Sequence, residues 1–445
     1  MRKLFGTDGI RGKADKPPFD DLTLWRIGFA IAAVAGSNGK SVLIAEDTRE
    51  SGPRIAKAIG DGLIAGKRNV EDAGILPTPA LSYVLSHTNL YRMGVMISAS
   101  HNPYEDNGIK VLYGNGMKIP DELELKIETV LEGISAKEVG ETGILSTAPG
   151  VHSQYLSDIN SVFGSRIKRR LKKVVVDCAN GATYKIARSI LSNFIEEPVF
   201  INDKPDGKNI NNNCGSTHLD SLRDVVLARS AEMGIAFDGD GDRALFVDHE
   251  GNTVDGDHIL AFCAVGMKKI GELNDSGVVS TVMANFGLEE ALNKNGILFH
   301  RIESVGDRYV WQKMLESGSV LGGEQSGHII FRNHSVTGDG IITALKVIEM
   351  MSSARRSLKD LSSIVVKYPQ FLLNVRVERK PPVESMSNLQ RELSGVNADL
   401  AGKGRVSIRY SGTENLLRIM VEGNEQPLIE ACADRLARAA ALDIK

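Results

Sequence analysis

At 445 residues the chain is too long for one core, so about two to four domains are expected, and 42% hydrophobic with 24% charged residues is ordinary for a globular protein. A net charge of −3 offers neither nucleic acid nor an anionic membrane surface a basic face to bind. Cys178, Cys214, Cys263 and Cys432 are widely spaced with no C-x-x-C, which argues against a disulfide framework or a thiolate metal site and for a reducing, cytoplasmic setting.

In chain order, Phe5-Gly6-Thr7-Asp8-Gly9-Ile10-Arg11-Gly12 is a glycine-punctuated loop that offers backbone amides and the Arg11 guanidinium to a phosphate, or else is a plain turn. Residues 24–36 are the most apolar early stretch. They are too short to cross a bilayer and follow Asp20 and Asp21 where a signal peptide would carry positive charge, so they predict a first core helix.

Three segments then share one layout of β-branched run, polar turn, helical pattern and second short strand. They run from residues 42–45 through a helix ending near Ala65 to Val70, from 174–176 through a helix ending at Leu191 to 199–201, and from 278–282 through a helix ending at Leu292 to 297–299. Strand, helix, strand is the crossover unit of a mostly parallel sheet, so three similar α/β domains with mixed, mostly parallel sheets are predicted.

Residues 94–111, GVMISASHNPYEDNGIKV, carry two short apolar strands around a loop that presents Ser100 at a strand end. A Ser/His hydrolase would need a base oriented by a third group and usually the G-x-S-x-G elbow, and the context here is A-S-H-N-P with no elbow. On extended backbone His101 would point away from Ser100 and make a poor base for it.

Residues 150–173 and 251–257 read as connectors, giving domains over residues 1–150, 151–250, 251–368 and 369–445. The basic run at 166–173 is interrupted by apolar residues and reads as a solvated helix face rather than a nucleic-acid patch.

Asp238-Gly239-Asp240-Gly241-Asp242-Arg243 stands between two apolar runs. Three carboxylates at alternate positions repel one another unless a cation sits among them, and the glycines let all three turn toward one ion. An EF-hand is excluded, because Arg243 and His249 stand at its sixth and twelfth positions. Three hard oxygens leave the shell of Mg²⁺ incomplete, so substrate or a phosphorylated side chain is expected to supply the rest.

Residues 322–328, GGEQSGH, form a second glycine-framed polar loop whose Glu324, Ser326 and His328 suit sugar hydroxyls, with Asp307 in VGDRY expected to line the same region. After Tyr368 a strand at 371–377, a helix near 385–393, strands at 405–410 and 417–422 and a closing helix at 427–442 predict a smaller α+β domain. Between its last strands, Arg409, Ser411, Gly412 and Thr413, with Arg418, read as an anion cradle.

Taken together these loops resemble the α-D-phosphohexomutase superfamily, most closely its bacterial phosphoglucosamine mutase branch, along nearly the whole chain. Residues 99–103 resemble that family's phosphoserine loop, 238–243 its magnesium loop, 324–328 its sugar loop and 409–414 its phosphate loop. The branch rests on residues 5–12, Gln325 and 306–309, while Tyr410 and Asn415 replace prolines frequent in the family.

The resemblance implies four domains around a central cleft, each contributing one loop. It implies one Mg²⁺ held by Asp238, Asp240, Asp242 and phosphorylated Ser100, with Lys110, Arg243, Arg11 and His101 as catalytic neighbours and the cradle gripping whichever phosphate is not reacting. The implied reaction interconverts glucosamine 6-phosphate and glucosamine 1-phosphate, with glucosamine or glucose 1,6-bisphosphate as intermediate and activator, on a route to UDP-N-acetylglucosamine and the cell wall. It implies a small-molecule partner only, no nucleic acid or membrane, and a monomer or homodimer. Rival readings are a phosphomannomutase/phosphoglucomutase, a metal-dependent phosphatase and a non-catalytic sugar-phosphate sensor.

Overall fold

The computed structural model describes residues 4–6, 8–36, 40–134, 145–148, 150–400, 402–411 and 415–444. They form four sheets with helices between them. The first sheet runs, edge to edge, Ile10–Lys13, Asp106–Tyr113, Tyr91–Ile97, Ser41–Glu46, Val70–Ile75 and Leu145–Thr147. The second runs Thr253–Val254, Ala244–Asp248, Met233–Phe237, Leu171–Asp177 and Ile195–Ile201. The third runs Phe299–Ile302, Val278–Thr281, Leu321–Gly323 and Ile329–Phe331, and the fourth Gln370–Arg376, Leu416–Gly423 and Gly404–Tyr410.

The three repeated units pair in parallel as expected: Ser41–Glu46 with Val70–Ile75, Leu171–Asp177 with Ile195–Ile201, and Val278–Thr281 with Phe299–Ile302. Each sheet also carries an antiparallel pair, and there the polar loops sit. Tyr91–Ile97 turns back into Asp106–Tyr113, Met233–Phe237 into Ala244–Asp248, Leu321–Gly323 into Ile329–Phe331, and Gly404–Tyr410 into Leu416–Gly423. Each candidate loop is thus a hairpin connection, whose strands pair directly and fix where its residues emerge.

Three expectations are corrected. Residues 150–173 are not a bare connector, for helix Gly150–Gly164 buries Val151, Tyr155, Ile159 and Phe163 at four-residue spacing, one stripe of a helix. The basic run after it is no helix: strand Leu171–Asp177 starts inside it, and Arg166 pairs with Glu272 and Glu349, each at 2.6 Å. The strand expected at 297–299 begins at Phe299 instead. Ile297 ends the preceding helix, its N–H donating to Leu292 O at 3.0 Å while its side chain joins the core, as the apolar residue after a helix C-terminus commonly does.

One apolar cluster runs from Leu43 to Val365 through the first three sheets, and the fourth has its own, from Val377 to Ala440. Helix Gly150–Gly164 ties two units together, its Tyr155 hydroxyl donating to Asp339 Oδ2 at 2.8 Å at the start of helix Gly340–Ala354. No helix among the described residues is long and apolar enough to cross a membrane.

Candidate active site

Ser100 is 1% exposed and adopts φ +52°, a left-handed conformation rare for a residue with a side chain. The Ser98 hydroxyl accepts from Ser100 N at 2.9 Å, and Ser100 Oγ donates to Asp238 Oδ2 at 2.6 Å. His101 Nδ1 lies 3.4 Å from the same Oγ. This corrects the expectation that the two side chains diverge, which assumed extended backbone; the left-handed turn brings them to one side. Burial, then the charges of Arg243 and Arg11, lower the His101 pKa to about 4, so its ring is neutral at pH 7.

Asp238, Asp240 and Asp242 are all buried, and one carboxylate oxygen from each lies within 4.8 Å of the others. Burial, then Asp242 and Asp240, push the Asp238 carboxyl well above the usual range. Asp240 Oδ1 and Asp242 Oδ1 are buried without a hydrogen-bond partner. Orphaned, mutually repelling, all-oxygen donors fit a hard divalent cation.

Lys110 Nζ stands beside them, 2.8 Å from Asp240 Oδ2 and 3.4 Å from Asp242 Oδ2. Burial opposes its charge, yet Asp240, Asp8 and Asp242 outweigh that and raise its pKa well above the lysine norm. Arg243 N donates to Asp238 Oδ1 at 3.1 Å, and its Nε is 3.8 Å from Asp242 Oδ1. Arg11 donates to Ala99 O at 3.2 Å and pairs with Asp8.

The sugar-type loop abuts this cluster through Ala244 N, which donates to Gly327 O at 3.1 Å. Glu324 Oε1 accepts from Gly306 N at 3.0 Å, and Ser326 lies half-buried in the turn. Both ring nitrogens of buried His328 lack a hydrogen-bond partner, with Asp307 Oδ2 3.8 Å from Nε2. Lys118 bridges Asp307, at 2.7 Å, to Asp8. Burial works against the ionised Asp307, but Lys118 and then His328 hold its pKa below the norm.

In the fourth domain Arg409 and Arg418 are direct partners across the ladder. Like charges placed so are unfavourable without an anion between or above them. Burial and then Arg418 lower the Arg409 pKa, and Arg409 Nη2 rests 3.5 Å from Met283 Sδ of the third domain. Ser411 is buried, while Gly412 and Thr413 lie outside the described residues.

Ser100, His101, Lys110, Arg11, Arg243 and the three aspartates therefore form one cluster. Asp307 and His328 connect to it through Lys118 and Asp8. Sequence reasoning missed Thr78, whose hydroxyl donates to Asp240 Oδ2 at 2.6 Å, as well as Lys118, Arg49 and Asn211. Only Asp47-Thr48-Arg49, the polar turn that follows the β-branched run at 42–45, carried a signal.

Four sequence profiles of one family tile the chain: phosphoglucomutase/phosphomannomutase alpha/beta/alpha domain I over residues 2–138, domain II over 153–251, domain III over 255–368 and the C-terminal domain over 372–439. The chain belongs to this family, the α-D-phosphohexomutases. Among solved structures it shares its fold with a phosphoglucomutase/phosphomannomutase family protein of Burkholderia thailandensis, at TM-score 0.81 and 23% identity over 99% of this chain and 97% of that one. The fold is shared also with Aspergillus fumigatus N-acetylphosphoglucosamine mutase in complex with GlcNAc-6P and magnesium, at TM-score 0.66 and 17% identity over 100% and 96% of the two chains. Within the family it is similar to bacterial phosphoglucosamine mutases. That of Coxiella burnetii (strain CbuG_Q212) is 42% identical over 99% of this chain and 98% of its own length, and that of Actinobacillus pleuropneumoniae serotype 5b is 43% identical over 98% of each.

Proposed function

We propose that this protein is an isomerase-class phosphotransferase that interconverts glucosamine 6-phosphate and glucosamine 1-phosphate through phospho-Ser100 and a 1,6-bisphosphate. The reading rests on full-length similarity to phosphoglucosamine mutases and, above all, on the 2.6 Å contact between Ser100 Oγ and Asp238 beside the two orphaned carboxylate oxygens. Asp238, Asp240, Asp242 and a phosphoryl oxygen on Ser100 would hold Mg²⁺, which when bound offsets charge on the transferring group.

In the first half-reaction a sugar hydroxyl oxygen bonds to phosphorus as the P–Oγ bond of phospho-Ser100 breaks. The hydroxyl proton departs, and Ser100 Oγ leaves as an oxyanion that takes a proton. Lys110, raised in pKa, keeps its charge throughout, and with Arg243 and Arg11 it faces the negative charge spread over the phosphoryl oxygens. The bisphosphate then turns end for end and returns its other phosphoryl group to Ser100. Glu324, Ser326, His328 and Asp307 hold the sugar in both orientations, while Arg409, Ser411, Gly412, Thr413 and Arg418 grip the phosphate that is not reacting. Four free, buried cysteines support a cytoplasmic setting for this chemistry.

The test is Ser100→Ala, assayed on glucosamine 6-phosphate with a trace of glucose 1,6-bisphosphate beside the parent. Loss of turnover, together with loss of one phosphoryl group from the intact mass, is the expected result. Near-parent turnover removes the scheme.

A further inference from the structure

Arg49 is fully buried, yet it touches none of the charged groups assigned to the reaction. Its Nε donates to Asp47 Oδ2 at 2.9 Å. Its Nη1 donates to Asp106 O at 2.9 Å and also to Pro103 O, and its Nη2 donates to Ser100 O at 3.0 Å and Asn102 O at 2.8 Å. All five donors of the guanidinium are used, four of them on backbone carbonyls of the Ser100 loop.

Asp47 aims the fork: its Oδ1 accepts from Arg49 N at 3.0 Å, and its Oδ2 also accepts from the Ser98 hydroxyl that caps Ser100 N. From the second domain Asn211 Nδ2 meets two of the same carbonyls, donating to Ser100 O at 2.8 Å and Asn102 O at 3.1 Å. Gly239, between the metal-type aspartates, closes the arrangement, because a Cβ there would lie 2.5 Å from Ser100 O and 2.7 Å from Asn211 Nδ2.

We propose that Arg49 and Asn211 are positioning residues, a two-sided clamp on the Ser100 and Asn102 carbonyls that holds Ser100 in its left-handed turn with Oγ against Asp238. The proposal rests on Ser100 being the phosphoryl carrier and adds what sets its aim. A loop of this polarity has no reason of its own to keep Ser100 at φ +52°, and a planar fork that binds four carbonyls at once defines one backbone path where a point charge such as lysine defines none. The hydrogen bonds of the clamp go to Asp47 and to the carbonyls of the Ser100 loop, so it acts on the transfer step rather than on substrate capture.

The experiment compares full-length Arg49→Lys and Asn211→Ala with the parent, measuring kcat and KM on glucosamine 6-phosphate, phosphorylation of Ser100 by glucose 1,6-bisphosphate from intact mass, and melting temperature. Misplacing the carrier by a fraction of an ångström to about 1 Å predicts kcat about 100-fold lower for Arg49→Lys and about 10-fold lower for Asn211→Ala, with KM within about 3-fold of the parent and Ser100 still phosphorylated. If Arg49→Lys does not fold, Asn211→Ala decides alone by the same readouts. A folded Asn211→Ala with kcat within about 3-fold of the parent, or with its loss carried by KM, overturns the clamp. Those results beside an inactive Ser100→Ala sink the clamp alone, whereas an active Ser100→Ala sinks the phosphoserine reading beneath it.

Discussion

The chemistry proposed for Ser100 depends on side chains that differ in how visible they are in sequence. Ser100 and the three aspartates stand out because hydroxyl, carboxylates and glycines recur at close spacing with a physical purpose. Thr78 does not: its partner Asp240 is 162 residues away, and an isolated threonine between prolines carries no mark of its role. The same distance hides Lys118, which meets Asp307 189 residues on, and Asn211, which meets Ser100 111 residues back. His101 was misplaced by a backbone assumption that one positive φ undoes. Thr78 supplies a prediction at this scale. Its hydroxyl orients a candidate metal carboxylate, so Thr78→Val should weaken divalent-cation binding by about 10-fold to 100-fold, read by Mn²⁺ titration of protein stripped with a chelator. Unchanged affinity would show that Asp240 needs no such support.

At the scale of elements, strand, helix and strand in three copies were readable because β-branched runs and helical periodicity alternate cleanly. Helix Gly150–Gly164 was not, since its four buried residues are diluted by serines, an asparagine and a glutamine on the other face. The antiparallel hairpins that carry the loops also escaped notice, because pairing direction depends on partners rather than on local pattern. The end of strand Ser41–Glu46 carries a pH prediction. Burial, then Asp72 and Asp47, raise the Glu46 pKa from 4.5 to about 8, so the folded protein holds a proton that the unfolded chain has released. The stability this contributes is full below the unfolded value, declines as pH rises above 4.5 and is gone beyond about 8. Melting curves across that window should fall for the parent and stay flatter for Glu46→Gln; parallel curves would contradict the assignment.

At the scale of the molecule, one apolar cluster crosses the first three domains, the first of which also has a second cluster from Phe5 to Ile127, whereas the cluster of the fourth lies within that domain, which meets the third through polar contacts. Arg405 reaches from the fourth domain to Val282 O and Ala284 O, at 2.8 and 2.7 Å, and Glu422, buried beside it, accepts from Phe286 N at 2.9 Å. A small domain docked this way is suited to swing while a bisphosphate reorients. Arg405→Ala should speed limited proteolysis at the connector around residues 366–369, where Val366 is 68% exposed, without lowering the main melting transition; equal cleavage rates would show the domain to be held otherwise. The order of the four loops was legible in the sequence and the resemblance implied a shared cleft, but the contacts that join the first three, Ser100 to Asp238 and Ala244 to Gly327, are set by packing between domains and carry no local mark. The central claim is that Ser100 carries the group being moved. Protein labelled with radioactive phosphate on Ser100, mixed with unlabelled glucosamine 6-phosphate and quenched over milliseconds to seconds, measures it directly. The account predicts that label passes into sugar phosphates at least as fast as kcat; label that stays on the protein, or emerges as inorganic phosphate while the sugar isomerises, contradicts it.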